Sequence, residues 1–171
     1  MKILITVSAM ALLFAPAPSR AQAINDAQIA SVVVTANQVD IDAGKLAHTT
    51  STNADVKKFA QLMIDDHTGV NKSATELVTR LKVTPEDNPT SQALSNGAAA
   101  ELAKLAALDG AAFDKAYVSN EVAFHGTVNG ALKSTLIPSA DNPQLKSLLE
   151  TGLTLFTEHQ HHAEHLASEL K

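Results

Sequence analysis

Apolar residues recur every three or four positions through most of this chain, and each long run of that spacing has a polar residue on or beside its apolar face near the middle. Over Asn53–Lys82 the repeating face is Val56, Ala60, Met63, His67, Val70, Ala74, Leu77 and Leu81. That spacing predicts a helix with one buried side, and His67 alone on it is not apolar. An imidazole withdrawn from water without a hydrogen bond or a ligand is costly, so His67 calls for a partner.

The other helices follow from the same reading. Asn25 or Asp26 caps a run to about residue 51, with an apolar face of Ile29, Val32, Val33, Ala36, Val39, Ala43 and Leu46 and with Asp40 beside it. The second helix covers about 53–82. Pro85 and Pro89 predict a linker through Gly97, then a short alanine-rich helix over about 98–108. A third long helix covers about 111–137, ended by Pro138, with Asp114, Tyr117 or Val118, Glu121, His125, Val128 and Leu132 on its face. Gly126 and Gly130 are unfavourable there and suggest a close neighbour. Asn142-Pro143 opens the last helix, about 142–170, whose face is Leu145, Leu149, Gly152, Phe156, His159, Ala163, Leu166 and Leu170. Four long amphipathic helices, two short connections and one long one predict an all-α, ferritin-like four-helix bundle with a central crossover carrying the short extra helix.

The first 23 residues stand apart. Lys2, an apolar run Ile3–Ala15 and Ala21-Gln22-Ala23 read as a secretory signal peptide cleaved after Ala23, with Ala17 the weaker alternative. The apolar run is too short for a membrane span, and no other run is long enough. Residues 24–171 would form the mature domain. Loss of the leader removes Lys2 and Arg20 and no acid, which takes the formal charge from −5 to −7. That acidic balance, with one tyrosine and no tryptophan, argues against a nucleic-acid partner. The chain has no cysteine, hence neither disulfides nor a lipid anchor. The expected location is the bacterial periplasm, with an envelope partner or a second copy as the open partner classes.

The four polar interruptions fall near mid-helix: Asp40, His67, His125 and His159. At about 1.5 Å of rise per residue they can share one layer. Imidazole nitrogens with a carboxylate oxygen suit Zn, Fe, Mn or Cu. Asp66, Glu121, Tyr117 and His162 surround this set as alternative ligands or as outer partners that fix a ring tautomer. The competing reading is a hydrogen-bond network that organises the core without a metal. Glu-x-x-His on two helices, the mark of a carboxylate di-iron centre, is missing: Glu121 and His125 are four apart, as are Glu158 and His162. His161 and His165 could grip a metal by themselves, but a solvated helix end accounts for them better. No phosphate loop or nucleophile elbow is present, so nothing points to nucleophilic catalysis.

Several motifs together carry a resemblance. Asp40-x-Asp42-x-Gly44-Lys45-Leu46-Ala47 is followed by Phe59-Ala60-x-x-Met63-x-x-Asp66-His67. Phe113-Asp114-x-x-Tyr117-Val118 with His125 comes next, then His159-x-x-x-Ala163-x-x-Leu166. In that order the chain resembles the bacterial exported family called domain of unknown function 4142, from about Asp26 to Leu170. The resemblance implies a ferritin-like fold and no established reaction; the expectation of a metal-binding or envelope-stress role comes from the mid-helix layer of Asp40, His67, His125 and His159. Family members usually carry Glu where this chain has Asp40. They are often labelled outer-membrane proteins, whereas this chain has no barrel-strand pattern.

Overall fold

The computed structural model describes residues 24–170, so the expected leader lies outside the described residues. Five helices account for nearly all of what is described, and no strand occurs among these residues. Helix α1 is Asp26–Thr50, α2 is Ala54–Leu81 and α3 is Pro89–Leu105. Helix α4 is Gly110–Ala131, prolonged by a π-helical turn at Leu132–Leu136 and a last turn at Ile137–Ser139; α5 is Pro143–Glu169. Among the described residues no helix is long and apolar enough to cross a membrane.

Asparagine side chains start four of the five helices. Asn25 closes a capping box with Gln28, and Asn53, Asn88 and Asn142 each accept from two amides of the first turn. Each such cap satisfies donors that the helix cannot satisfy itself. Asn88 corrects the expected linker. Helix α3 begins at Pro89, not near Ala98, because the proline sits at the first helical position, where its missing N–H costs nothing. The Asn88 Nδ2 donates to the Gln28 carbonyl at 3.1 Å, and Ser31 donates to Asp87 at 2.9 Å, so the segment is tied to the start of α1. Pro138 falls within the final turn of α4. The π turn before it, closed by the Ile137 N–H on the Leu132 carbonyl, widens the ladder where the proline ring would crowd the previous turn.

Two apolar clusters fill the interior. One contains Ala43 and Ala47 of α1, Phe59 and Met63 of α2, Phe113 and Tyr117 of α4, and Ala163 and Leu166 of α5. The other contains Ile29 and Val33 of α1, Leu77 of α2, Leu132 and Leu136 of the α4 extension, and Leu145, Leu149 and Phe156 of α5. On α1 and α5 the second cluster comes earlier in the chain; on α2 and α4 the order is reversed. Helices α1 and α5 therefore run together, against α2 and α4. The Asp26 carboxylate confirms the first pairing by accepting from the Asp141 and Asn142 amides at 3.0 Å each. Because α2 and α4 point the same way, the chain between them must cross the molecule, and α3 makes that crossing. At the boundary between the clusters each of the four long helices contributes buried polar residues: Asn37 and Asp40, His67, Glu121 and His125, and His159.

Close approach of backbones occurs at one glycine, and it is not the pair expected. A Cβ on Gly130 would meet nothing within 4 Å and one on Gly126 only the end of Gln160, whereas at Gly44 it would lie 3.0 Å from the Ala60 carbonyl oxygen and 3.1 Å from Ile64. Helices α1 and α2 touch here, and a backbone oxygen cannot swing aside. Alanine normally stabilises a helix interior over glycine by about 0.5–1 kcal/mol. Gly130→Ala should show that gain in urea denaturation, and Gly44→Ala should instead lose stability.

Candidate metal centre

Three imidazoles form a nearly equilateral triangle at the boundary layer. Their ring centroids are 5.6 Å apart for His67–His125, 5.2 Å for His67–His159 and 5.5 Å for His125–His159. All three are buried. One nitrogen of each ring lies within 4.8 Å of one on each of the others, so some point lies within about 2.8 Å (4.8/√3) of all three. Bonds of about 2.0–2.1 Å from zinc to imidazole would need a contraction of at most about 0.8 Å along each ligand.

Each ring uses its outer nitrogen. His67 Nδ1 meets Asn37 Oδ1 at 2.7 Å, His125 Nδ1 meets the Glu121 carbonyl oxygen at 3.0 Å, and His159 Nε2 meets Asp66 Oδ2 at 2.9 Å. All three partners can only accept, so each outer nitrogen carries the proton and each ring is fixed in one tautomer. The opposite nitrogens, His67 Nε2, His125 Nε2 and His159 Nδ1, then bear lone pairs, and none has a hydrogen-bond partner. Asp40 completes the set: its Oδ2 lies 3.2 Å from His67 Nε2 and 3.4 Å from His125 Nε2. No N–H reaches either carboxyl oxygen of Asp40; its hydrogen-bonding neighbour is the Glu121 carboxyl. Lone pairs thus face lone pairs in a dry interior, an arrangement that a positive charge between them would resolve.

Burial governs the titration of the layer. Desolvation holds His67 down to about 2, with His125 and His159 adding to the effect. It holds His125 at about 4 and lowers His159 as well, in the latter case against the pull of Asp66. The same loss of water pushes Asp40 up to about 7 and raises Glu121, which Asp40 raises further. Tyr117, raised first by burial and then by Glu121 and Asp40, keeps its proton. The layer therefore offers neutral imidazoles, the form in which histidine ligates a metal.

The structure brings His67, His125 and His159 together and sets Asp40 against the first two. Asp66 sits behind His159 as an outer partner. Glu121 is one of a second overlapping trio with Asp40 and His125, and its Oε2 lies 3.5 Å from His125 Nδ1. Tyr117 lies deeper in the adjoining apolar cluster, its hydroxyl without a hydrogen-bond partner. His162 does not join the layer: it is exposed, and its ring meets Phe59 edge-on with centroids 5.0 Å apart. Three residues past His159, it sits about 60° round the helix and one turn further along, at the edge of the buried face, where it covers Phe59 instead of reaching the layer. His161 and His165 are exposed too, as is Glu158, which precedes His161 by three positions.

Sequence reading missed three supports. Asn37, one turn before Asp40, holds His67, and its own Nδ2 donates to the Val33 carbonyl at 2.9 Å. Asn129, one turn after His125, donates to the Phe156 carbonyl and to Gln160, joining α4 to α5. Phe156 stacks on the His67 ring, 4.7 Å between centroids and 13° between planes. A polar amide at helical spacing from a buried ionisable residue was the available signal for both asparagines.

No curated protein and no solved structure matches the chain. A family match does exist, covering residues 12–166, and it contains every motif around the layer. The chain belongs to the family described as Domain of unknown function (DUF4142).

Proposed function

We propose that this is an exported, ferritin-like four-helix-bundle protein that binds one divalent transition-metal ion through His67, His125, His159 and Asp40. The observation that carries the proposal is the set of inward lone pairs: three tautomer-fixed imidazoles turn unpartnered nitrogens toward one another, and the Asp40 carboxyl faces two of them. Three nitrogens and one oxygen suit Zn, Cu, Fe or Mn, and the outer hydrogen bonds match the way such ligands are held. Four protein donors close a tetrahedral sphere, as structural zinc sites do, whereas catalytic ones leave a position for water. The role proposed is accordingly binding, with no reaction assigned. Export rests on the leader pattern of Met1–Ala23, and the ferritin-like topology on the crossing made by α3 between two helices that point the same way.

One alternative has its own support. Asp40 pushed up to about 7 can hold a proton near neutrality and donate it to His67 or His125, which makes the layer a metal-free core network. The two readings separate experimentally. Untagged protein stripped of metal and titrated by calorimetry should take up one equivalent of Zn²⁺. His67→Ala and Asp40→Ala should abolish stoichiometric uptake, and Asn37→Ala should weaken it by about 10–100-fold, the usual cost of losing an outer partner. Absence of uptake by the unaltered protein would leave the network reading.

The metal-free protein should also have a defined pH profile. The three imidazoles are depressed, so their contribution to stability is present above about 6.5 and lost as the pH falls toward their folded values. Asp40 and Glu121 are raised, so theirs is present at low pH and lost as the pH rises, for Asp40 through about 7. On the acid side the unfolded chain binds protons on imidazoles that the folded one keeps neutral, whereas toward neutrality the folded chain still holds carboxyl protons that the unfolded one has lost. Stability should therefore rise with pH on the acid side, through about 4 for His125, and fall again above neutrality as Asp40 loses its proton. Denaturation curves across pH check this. Bound metal should remove the alkaline decline, because it pairs the ionised Asp40.

A further inference from the structure

Helix α3 lies over a seam that is not filled. Ser91 and Leu105 are its only buried residues, and much of the rest of its sequence is alanine, glycine and serine. Beneath it an outer cavity of about 390 Å³ is lined by Ala43 of α1, by Ala93, Gly97 and Leu102 of α3, and by Asn120 of α4. An inner cavity of about 120 Å³ lies among Val33, Leu132, Leu149 and Phe156 and ends against His67 and His125. Thr90, Leu94 and Phe124 line both spaces, so these three side chains form the partition between them.

The inner cavity is roomy enough for water but offers it almost nothing. Asn37 spends its amide on His67 and on the Val33 carbonyl, and the Thr127 hydroxyl donates to the Ala123 carbonyl at 2.9 Å. Apart from Thr90 at the partition, the remaining walls are aliphatic or aromatic. Water is stable in a buried space only with about two to four polar partners, and a comparable engineered apolar cavity in another protein stays dry and takes xenon or benzene. Burying an apolar molecule there would gain the contacts that the walls now lack.

We propose that the two cavities form an entry path for a small, uncharged, apolar molecule, with Leu94 and Phe124 as the gate and the rings of His67 and His125 at its inner end. Such a molecule is of the size range from dioxygen to benzene. The path exists whether or not metal is bound; only the statement that its end adjoins a metal site rests on the reading above.

Xenon is the probe, applied to metal-free protein, so that a failed metal titration leaves this readout intact. In ¹²⁹Xe and methyl NMR under xenon pressure, the Val33, Leu132 and Leu149 methyls should shift together as one bound xenon saturates. Ala36→Leu, which fills the inner space, should abolish that shift. Gly97 is exposed and a Cβ there meets nothing within 4 Å, so Gly97→Leu should fold and plug only the outer cavity. In it the same site should fill with exchange slowed by about tenfold, the effect of a modestly higher entry barrier. No shift of those methyls in the unaltered protein, or exchange unchanged in Gly97→Leu, would overturn the proposal. Should Ala36→Leu fail to fold, the other two measurements decide it.

Discussion

Two lone pairs aimed at each other away from water repel, and a fold can hold them so only if something positive comes between or if the surrounding core tolerates the cost. Here the repulsion is built with care on the outside of each ring. Asn37, the Glu121 carbonyl and Asp66 take the outward protons, which leaves the inward nitrogens bare. Asp40, from the one long helix that brings no histidine to the layer, then presents its carboxylate to two of them. The outer hydrogen bonds and the inner convergence are one device, since releasing any outer partner lets a ring change tautomer and donate inward.

The rest of the molecule serves that layer. Apolar clusters above and below it exclude water, and the same exclusion keeps the imidazoles neutral and raises the carboxyls. The helix directions matter as well. With α1 and α5 running one way and α2 and α4 the other, mid-helix residues from all four meet at one level, and α3 supplies the crossing that those directions require. Gly44 lets α1 approach α2 closely enough for Asp40 to reach His67. Helix α3, cheaply capped by Asn88 and Pro89 but sparsely packed, is the part with the least hold on the core, and the unfilled space lies under it.

Much of this was legible in the chain, for identifiable reasons. A 3.6-residue period marks helices strongly, so the faces of α2 and α5 read directly, histidines included. The layer could be inferred because a polar residue amid apolar ones marks its own depth along the helix. Where the reading failed, a local rule had two outcomes. Pro89 reads as a breaker, yet after a capping asparagine a proline starts a helix. Gly126 and Gly130 were credited with a close approach that belongs to Gly44, because a glycine's neighbours lie on another helix and no period reveals them. The spacing of His162 from Glu158 suggests a place in the site, but one turn beyond His159 and at the edge of the buried face it lies in solvent against Phe59. Asn37 escaped notice because an uncharged amide does not announce burial.

The most direct test is anomalous diffraction at the zinc edge from crystals of metal-stripped protein given one equivalent of Zn²⁺. The account predicts a single strong peak inside the triangle of rings, at bonding distance from His67 Nε2, His125 Nε2, His159 Nδ1 and an Asp40 oxygen. A layer without a peak, or a peak only at the exposed His161 and His165, would contradict it.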